Sequence, residues 1–134
     1  MSGIKNKNTK PETMVRKELF KNGFRYRLHN GKLPGKPDLV LKKYMAVVFV
    51  QGCFWHGHKC RYFVWPKSNK EFWRAKINGN KKNDKKVIKR LKSMDYRICL
   101  FWECVTRDHV LFPVAMDKLK AWLTGDDYFL EISS

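Results

Sequence analysis

The sequence predicts an α/β or α+β domain built around a mixed sheet with helices packed against it. Short apolar runs suited to strands are interleaved with longer amphipathic stretches, in the order α-β-β-β-α-β-α. One run, "MAVVFVQ" (45–51), is apolar enough for the centre of a sheet. Hydrophobic residues at 43% and aromatics at 14% of 134 residues supply enough apolar side chain for a core. No internal repeat or linker divides the chain, so residues 1–134 are expected to form a single domain.

Residues 1–8 are polar and expected to be loose. Thr9 reads as an N-cap, with Pro11 in the first turn and Glu12 where a capping box closes, so a helix is predicted over 11–22 and ends at Gly23. "FRYRLH" (24–29) alternates apolar and polar residues as a half-exposed strand does, and Asn30-Gly31 offers a tight turn. Strands follow at 37–41 and 45–51. Ser68 and Glu71 form a second possible capping box, opening a long helix that runs to about residue 93. "RICLFWE" (97–103) reads as a buried strand, and 113–123 as an amphipathic helix capped by Gly125. Residues 126–134 are left as a C-terminal tail.

Charge narrows the function. The 29 Lys and Arg against 12 Asp and Glu give +17, and a chain this basic and this aromatic fits a polyphosphate partner, nucleic acid first. A ribosomal protein would carry basic tails on a thinner core, and a membrane-surface binder an amphipathic basic helix with an apolar stripe. "MSGIKNKNTK" has no apolar signal region, and no run is long and uncharged enough to cross a bilayer, so a cytoplasmic protein is expected. The four cysteines are then expected as metal thiolates or buried thiols rather than disulfides.

The densest chemistry lies in "GCFWHGHKC" (52–60). Cys53, one of the two histidines, Cys60 and a fourth soft ligand would make a tetrahedral zinc site, against the alternative of unrelated buried cysteines. Cys104, just past a strand, suits the fourth place better than Cys99, which lies inside an apolar run and reads as a core thiol. Spacing does not decide between His56 and His58. Asp38 heads a strand after Pro37, where a carboxylate either holds a divalent ion such as magnesium or simply faces solvent in a turn. Asp84 falls on the apolar stripe of the long helix, and an inward carboxylate needs a partner, either a histidine that it orients or a lysine. Phe54, Trp55 and Trp73 could pack in the core, stack on bases or wedge into a duplex. The lysine run 81–92 reads first as a solvated helix face and second as phosphate contact.

In order and spacing, "LPGKPDLVL", "VVFVQGCFWHGHKC", "EFWRAKI", "NDKK" and "FWEC" resemble the very short patch repair (Vsr) endonucleases, which nick DNA at T:G mismatches. The resemblance runs from about Met1 to Cys104 and is weak beyond. It implies a restriction-endonuclease-like fold, a mixed central sheet flanked by helices, with a structural zinc (Zn2+) on Cys53, His58, Cys60 and Cys104. His56 takes the catalytic place with Asp84 behind it, and Asp38 with the Val50 carbonyl takes that of the catalytic magnesium (Mg2+). Glu12 matches an acidic residue near the active site, and Phe54, Trp55 and Trp73 match rings pushed into DNA beside the mismatch. The implied partners are double-stranded DNA with a T:G mismatch and a mismatch-repair coupling protein, and the implied state is a monomer. Two departures stand out: Gln51 occupies a position where the family commonly has histidine, and relatives often carry a basic segment ahead of the position of Met1. A restriction-type nicking enzyme with another target, or a zinc-stabilised DNA-binding module without catalysis, are the competing readings; the second would need none of Asp38, His56 and Asp84.

Overall fold

A computed structural model describes residues 9–61 and 63–134; the segment 1–8, expected to be loose, lies outside them. The first helix, α1 (Lys10–Lys21), starts at Thr9, whose hydroxyl accepts the Glu12 N–H at 3.4 Å. Asn22 caps its far end, and Gly23 follows with φ +90°, a left-handed turn that glycine adopts without steric cost. The strand expected over 24–29 shrinks to β1 (Arg27–Leu28), because His29 turns left-handed (φ 47°) and only two residues find ladder partners. β2 is Leu39–Leu41 rather than 37–41: Pro37 has no N–H to give, and Asp38 spends its side chain on β3 instead. A 3-10 turn (Lys42–Tyr44) leads to β3 (Ala46–Gln51).

The long helix is α2 (Lys70–Ser93), and the Ser68–Glu71 capping box does not form. Asn69, left-handed at φ 55°, is its N-cap, with no side-chain cap bond. β4 (Arg97–Trp102) stops one residue short of expectation because Glu103 opens a one-turn helix, α3 (Glu103–Thr106). α4 (Leu111–Thr124) ends at Gly125 as predicted. The tail assigned to 126–134 is corrected: Phe129–Ile132 form β5, a sheet strand parallel to β4.

The five strands lie in the order β1-β2-β3-β4-β5, antiparallel through β3 and parallel from β3 to β5. Alternation along the strands divides the core. Leu39, Leu41, Val48, Cys99 and Phe101 face α1 and α4, packing on Val15, Leu19, Met116, Leu119 and Leu123. Val40, Val47, Phe49, Ile98 and Leu100 face α2, where Val87, Ile88 and Leu91 cover them. The lysines of 81–92 point to solvent, as the helix period requires. No helix among the described residues is long and apolar enough to cross a membrane.

Candidate functional site

A cavity of about 950 Å³ opens where the start of α1, the head of β2, the end of β3 and the middle of α2 converge. Glu12, His29, Asp38, Val50, Gln51, Trp55, His56 and Asp84 all line it. Asp38 is fixed by the Val50 N–H, which donates to its Oδ2 at 2.7 Å. Burial pushes the Asp38 carboxyl up to about 7; the Val50 hydrogen bond works against this, and the neighbouring Glu12 charge adds to it. Glu12 is buried to 1% exposure, its Oε2 2.8 Å from His29 Nε2 and 3.2 Å from the Arg16 guanidinium. Its carboxylate therefore lines this cavity, while its backbone N–H takes part in the cap of α1. Donor atoms of Glu12, His29 and Asp38 lie within 4.8 Å of one another, close enough for one cation.

Across the cavity, His56 Nδ1 meets Asp84 Oδ2 at 2.5 Å, with both side chains about three-quarters buried. The inward carboxylate of α2 is thus satisfied by an imidazole and not by a lysine. The loop that carries His56 is held to α2 by the Asn80 amide, which donates to the Trp55 carbonyl at 2.8 Å. It also presses close at Gly57 (φ +60°), where a Cβ would lie 2.7 Å from Ile77 Cγ2. Glu103 accepts the Cys53 N–H at 3.2 Å from the other side.

The second histidine points elsewhere. His58 stacks flat on Trp102, with centroids 4.1 Å apart and planes 6° apart. Its Nδ1 lies 3.8 Å from Cys104 Sγ, within a cluster of Cys53, His58, Cys60 and Cys104 whose donor atoms are all within 4.8 Å. Ligands at the corners of a zinc tetrahedron stand about 3.5–3.8 Å apart, so the set fits such an ion. Burial lowers the His58 imidazole from its usual range, in the direction of the neutral form that a ligand needs, and pushes the Cys53 thiol up. A bound cation would reverse the second effect by stabilising the thiolate. Cys99 is fully buried between β3 and β5 and takes no part.

Beside the cavity, Phe54, Trp55 and Trp73 form one half-exposed cluster, with centroids 5.2–5.7 Å apart. Phe63, Trp65 and Phe72 extend it, the last two 46% and 60% exposed.

A protein-family model described as DNA mismatch endonuclease Vsr matches residues 1–62. The DNA mismatch endonuclease Vsr of Escherichia coli is 32% identical across the whole chain, which spans 87% of that protein. The chain belongs to the Vsr family. The likeness to the Escherichia coli Vsr protein continues past Cys104, where the sequence motifs give out. Five relatives are described as Type II nicking enzymes, among them V.NmeAIP of Neisseria meningitidis, 43% identical over 89% of this chain and 85% of its own, and V.XorIIP of Xanthomonas oryzae, 42% identical over 81% and 79%. This Vsr-family chain is a Vsr-like endonuclease.

Several residues of its site escape sequence reading. His29 sits in a turn whose left-handed residue carries no sequence signature, and Lys76 and Asn80 look like any polar residues of a helix. Phe63, Trp65 and Phe72 carried a signal, since aromatics crowd 54–73, but only three of that crowd stood out.

Proposed function

We propose that this chain nicks one strand of duplex DNA 5′ to the thymine of a T:G mismatch, within a preferred sequence context, as in very short patch repair. The observation that carries the reading is one cavity in which the Asp38–Glu12 carboxylates face a His56–Asp84 pair, beside an open aromatic cluster. The mixed sheet with helices on both faces suits a single restriction-endonuclease-like domain over 1–134. The net charge of +17 suits a DNA backbone.

Asp38 and the Val50 carbonyl would hold a divalent cation, magnesium by preference of oxygen donors, and that ion would supply charge neutralisation at the phosphate. His56 takes the proton from the attacking water; Asp84 binds its Nδ1, which leaves Nε2 for that proton and stabilises the imidazolium that results. Phe54, Trp55 and Trp73 enter the helix beside the mismatch. A mispaired step costs less to separate than a paired one, so the wedge favours damaged sites. Cys53, His58, Cys60 and Cys104 would hold a structural zinc that pins the His56 loop to the end of β4. The enzyme acts as a monomer, since one-strand cutting needs one active centre, and a mismatch-repair coupling protein acts after it in the bacterial cytoplasm.

The test offers matched and T:G-mismatched duplexes with Mg2+ to wild type and Asp38→Ala. Nicking confined to the mismatch and lost in the variant, with binding retained, supports the proposal. Equal cleavage of both duplexes favours a nicking enzyme with another target, a reading that the names of five relatives keep in play.

A further inference from the structure

We infer that Glu12, His29 and Asp38 form a mixed oxygen–nitrogen site in which the His29 imidazole is a direct ligand, so that a first-row transition cation binds there more tightly than at an all-oxygen magnesium site. The inference rests on the reading of Asp38 as a cation ligand and adds the nitrogen donor and the selectivity that follows from it.

Three elements deliver the donors: Glu12 from α1, His29 from the turn after β1, Asp38 from the head of β2. The His29 position is built rather than incidental. Its backbone is left-handed at φ 47°, a conformation that costs a non-glycine residue energy and persists where surrounding structure enforces it. Its N–H donates to the Asp38 carbonyl at 3.1 Å, which ties together the backbones that carry the imidazole and the carboxylate. His29 Nε2 and Glu12 Oε2 stand 2.8 Å apart. Adjacent ligands of an octahedral ion at about 2.1 Å stand about 3 Å apart, so the pair can close on one cation with little movement. A separate observation points to a ligand in the same cavity. Gln51 lines it at only 7% exposure, and its Oε1 has no hydrogen-bond partner among the described residues. A buried carbonyl in that state calls for a donor, which water on a bound cation provides.

Magnesium favours an all-oxygen shell and keeps its waters, whereas an imidazole nitrogen favours the borderline transition ions. Mn2+ is the probe of choice, because it is paramagnetic and too weak a thiophile to displace zinc from thiolates.

The experiment titrates the zinc-loaded protein, without DNA, with Mn2+ and with Mg2+ in competition, and records pulsed electron paramagnetic resonance on the Mn2+ complex. Imidazole nitrogen coupling to Mn2+ is expected in wild type and in His56→Ala and is lost in His29→Gln, whose Mn2+-to-Mg2+ affinity ratio falls about tenfold or more. Uniform 15N-histidine labelling of His56→Ala, which leaves His29 as the remaining imidazole among the residues described in that cavity, decides the matter even if His29→Gln fails to fold. Mn2+ bound without nitrogen coupling, or with coupling that survives His29→Gln, overturns the inference and leaves the endonuclease reading standing. Failure of Asp38→Asn to alter binding of either ion would instead remove the cation site on which that reading draws.

Discussion

The Nδ1 of His56 lies 2.5 Å from Oδ2 of Asp84, a contact that joins the loop after β3 to the middle of α2. In the proposed reaction it fixes which ring nitrogen takes the proton. Asp84→Asn keeps the shape but offers the wrong group to Nδ1–H, so single-turnover nicking should fall about 10²–10⁴-fold with DNA binding intact. Rapid-quench kinetics beside a binding isotherm separates the two effects. A variant that loses affinity and rate in proportion would place Asp84 in binding instead.

Asp38 makes a prediction about pH. Its carboxyl ionises near 3.8 in the unfolded chain and near 7 in the folded protein, because burial disfavours the charge. The folded state thus holds the proton more tightly, which contributes stability that is complete below about pH 4 and lost as pH rises through 7. In zinc-loaded protein without added Mg2+, Asp38→Asn should raise Tm by about 3–8 °C at pH 8, with the gain vanishing toward pH 4. Cation affinity should rise with pH up to about 7 and then level off, since binding displaces that proton. Calorimetry across pH reads both curves.

What the sequence disclosed follows from how each feature is encoded. Asp84 was legible because the 3.6-residue period fixes the direction in which a helical side chain points, and a carboxylate on an apolar stripe demands a partner. The cysteine-histidine cluster was legible because three of its members lie within eight residues of chain (53–60). His29 was not: it reaches the cavity through a left-handed turn and a two-residue strand, and neither has a pattern longer than local noise. β5 was read as a tail because its alternation spans four residues, and its pairing with β4 is non-local. The Ser68–Glu71 signature failed because Asn69 took the left-handed conformation and began the helix itself.

Gly57 tests how closely the His56 loop must seat on α2. Alanine there meets both a positive φ and a Cβ 2.7 Å from Ile77 Cγ2 and Lys81 Cε. Lys81 can swing away; Ile77, fully buried, cannot. Gly57→Ala should cost about 1–3 kcal/mol, measured as a lower urea midpoint at unchanged slope. A neutral result would show that the loop relaxes freely and that its contact with α2 does not set the place of His56.

The C-terminal strand should govern how firmly the cysteine-histidine cluster would keep the zinc proposed for it. Glu131 of β5 accepts the Trp102 indole N–H at 2.7 Å, Trp102 stacks on His58, and the Ser134 N–H reaches Cys104 Sγ at 3.5 Å. Such outer contacts hold ligands in place, and losing one typically costs about 10–100-fold in metal affinity. Glu131→Ala should therefore release zinc to a competing chelator faster than wild type, while Glu131→Gln, which keeps an acceptor for the indole, should lie between them. Metal release followed by a colorimetric zinc indicator gives the order directly. Equal release from all three would mean that β5 stabilises the sheet without buttressing His58.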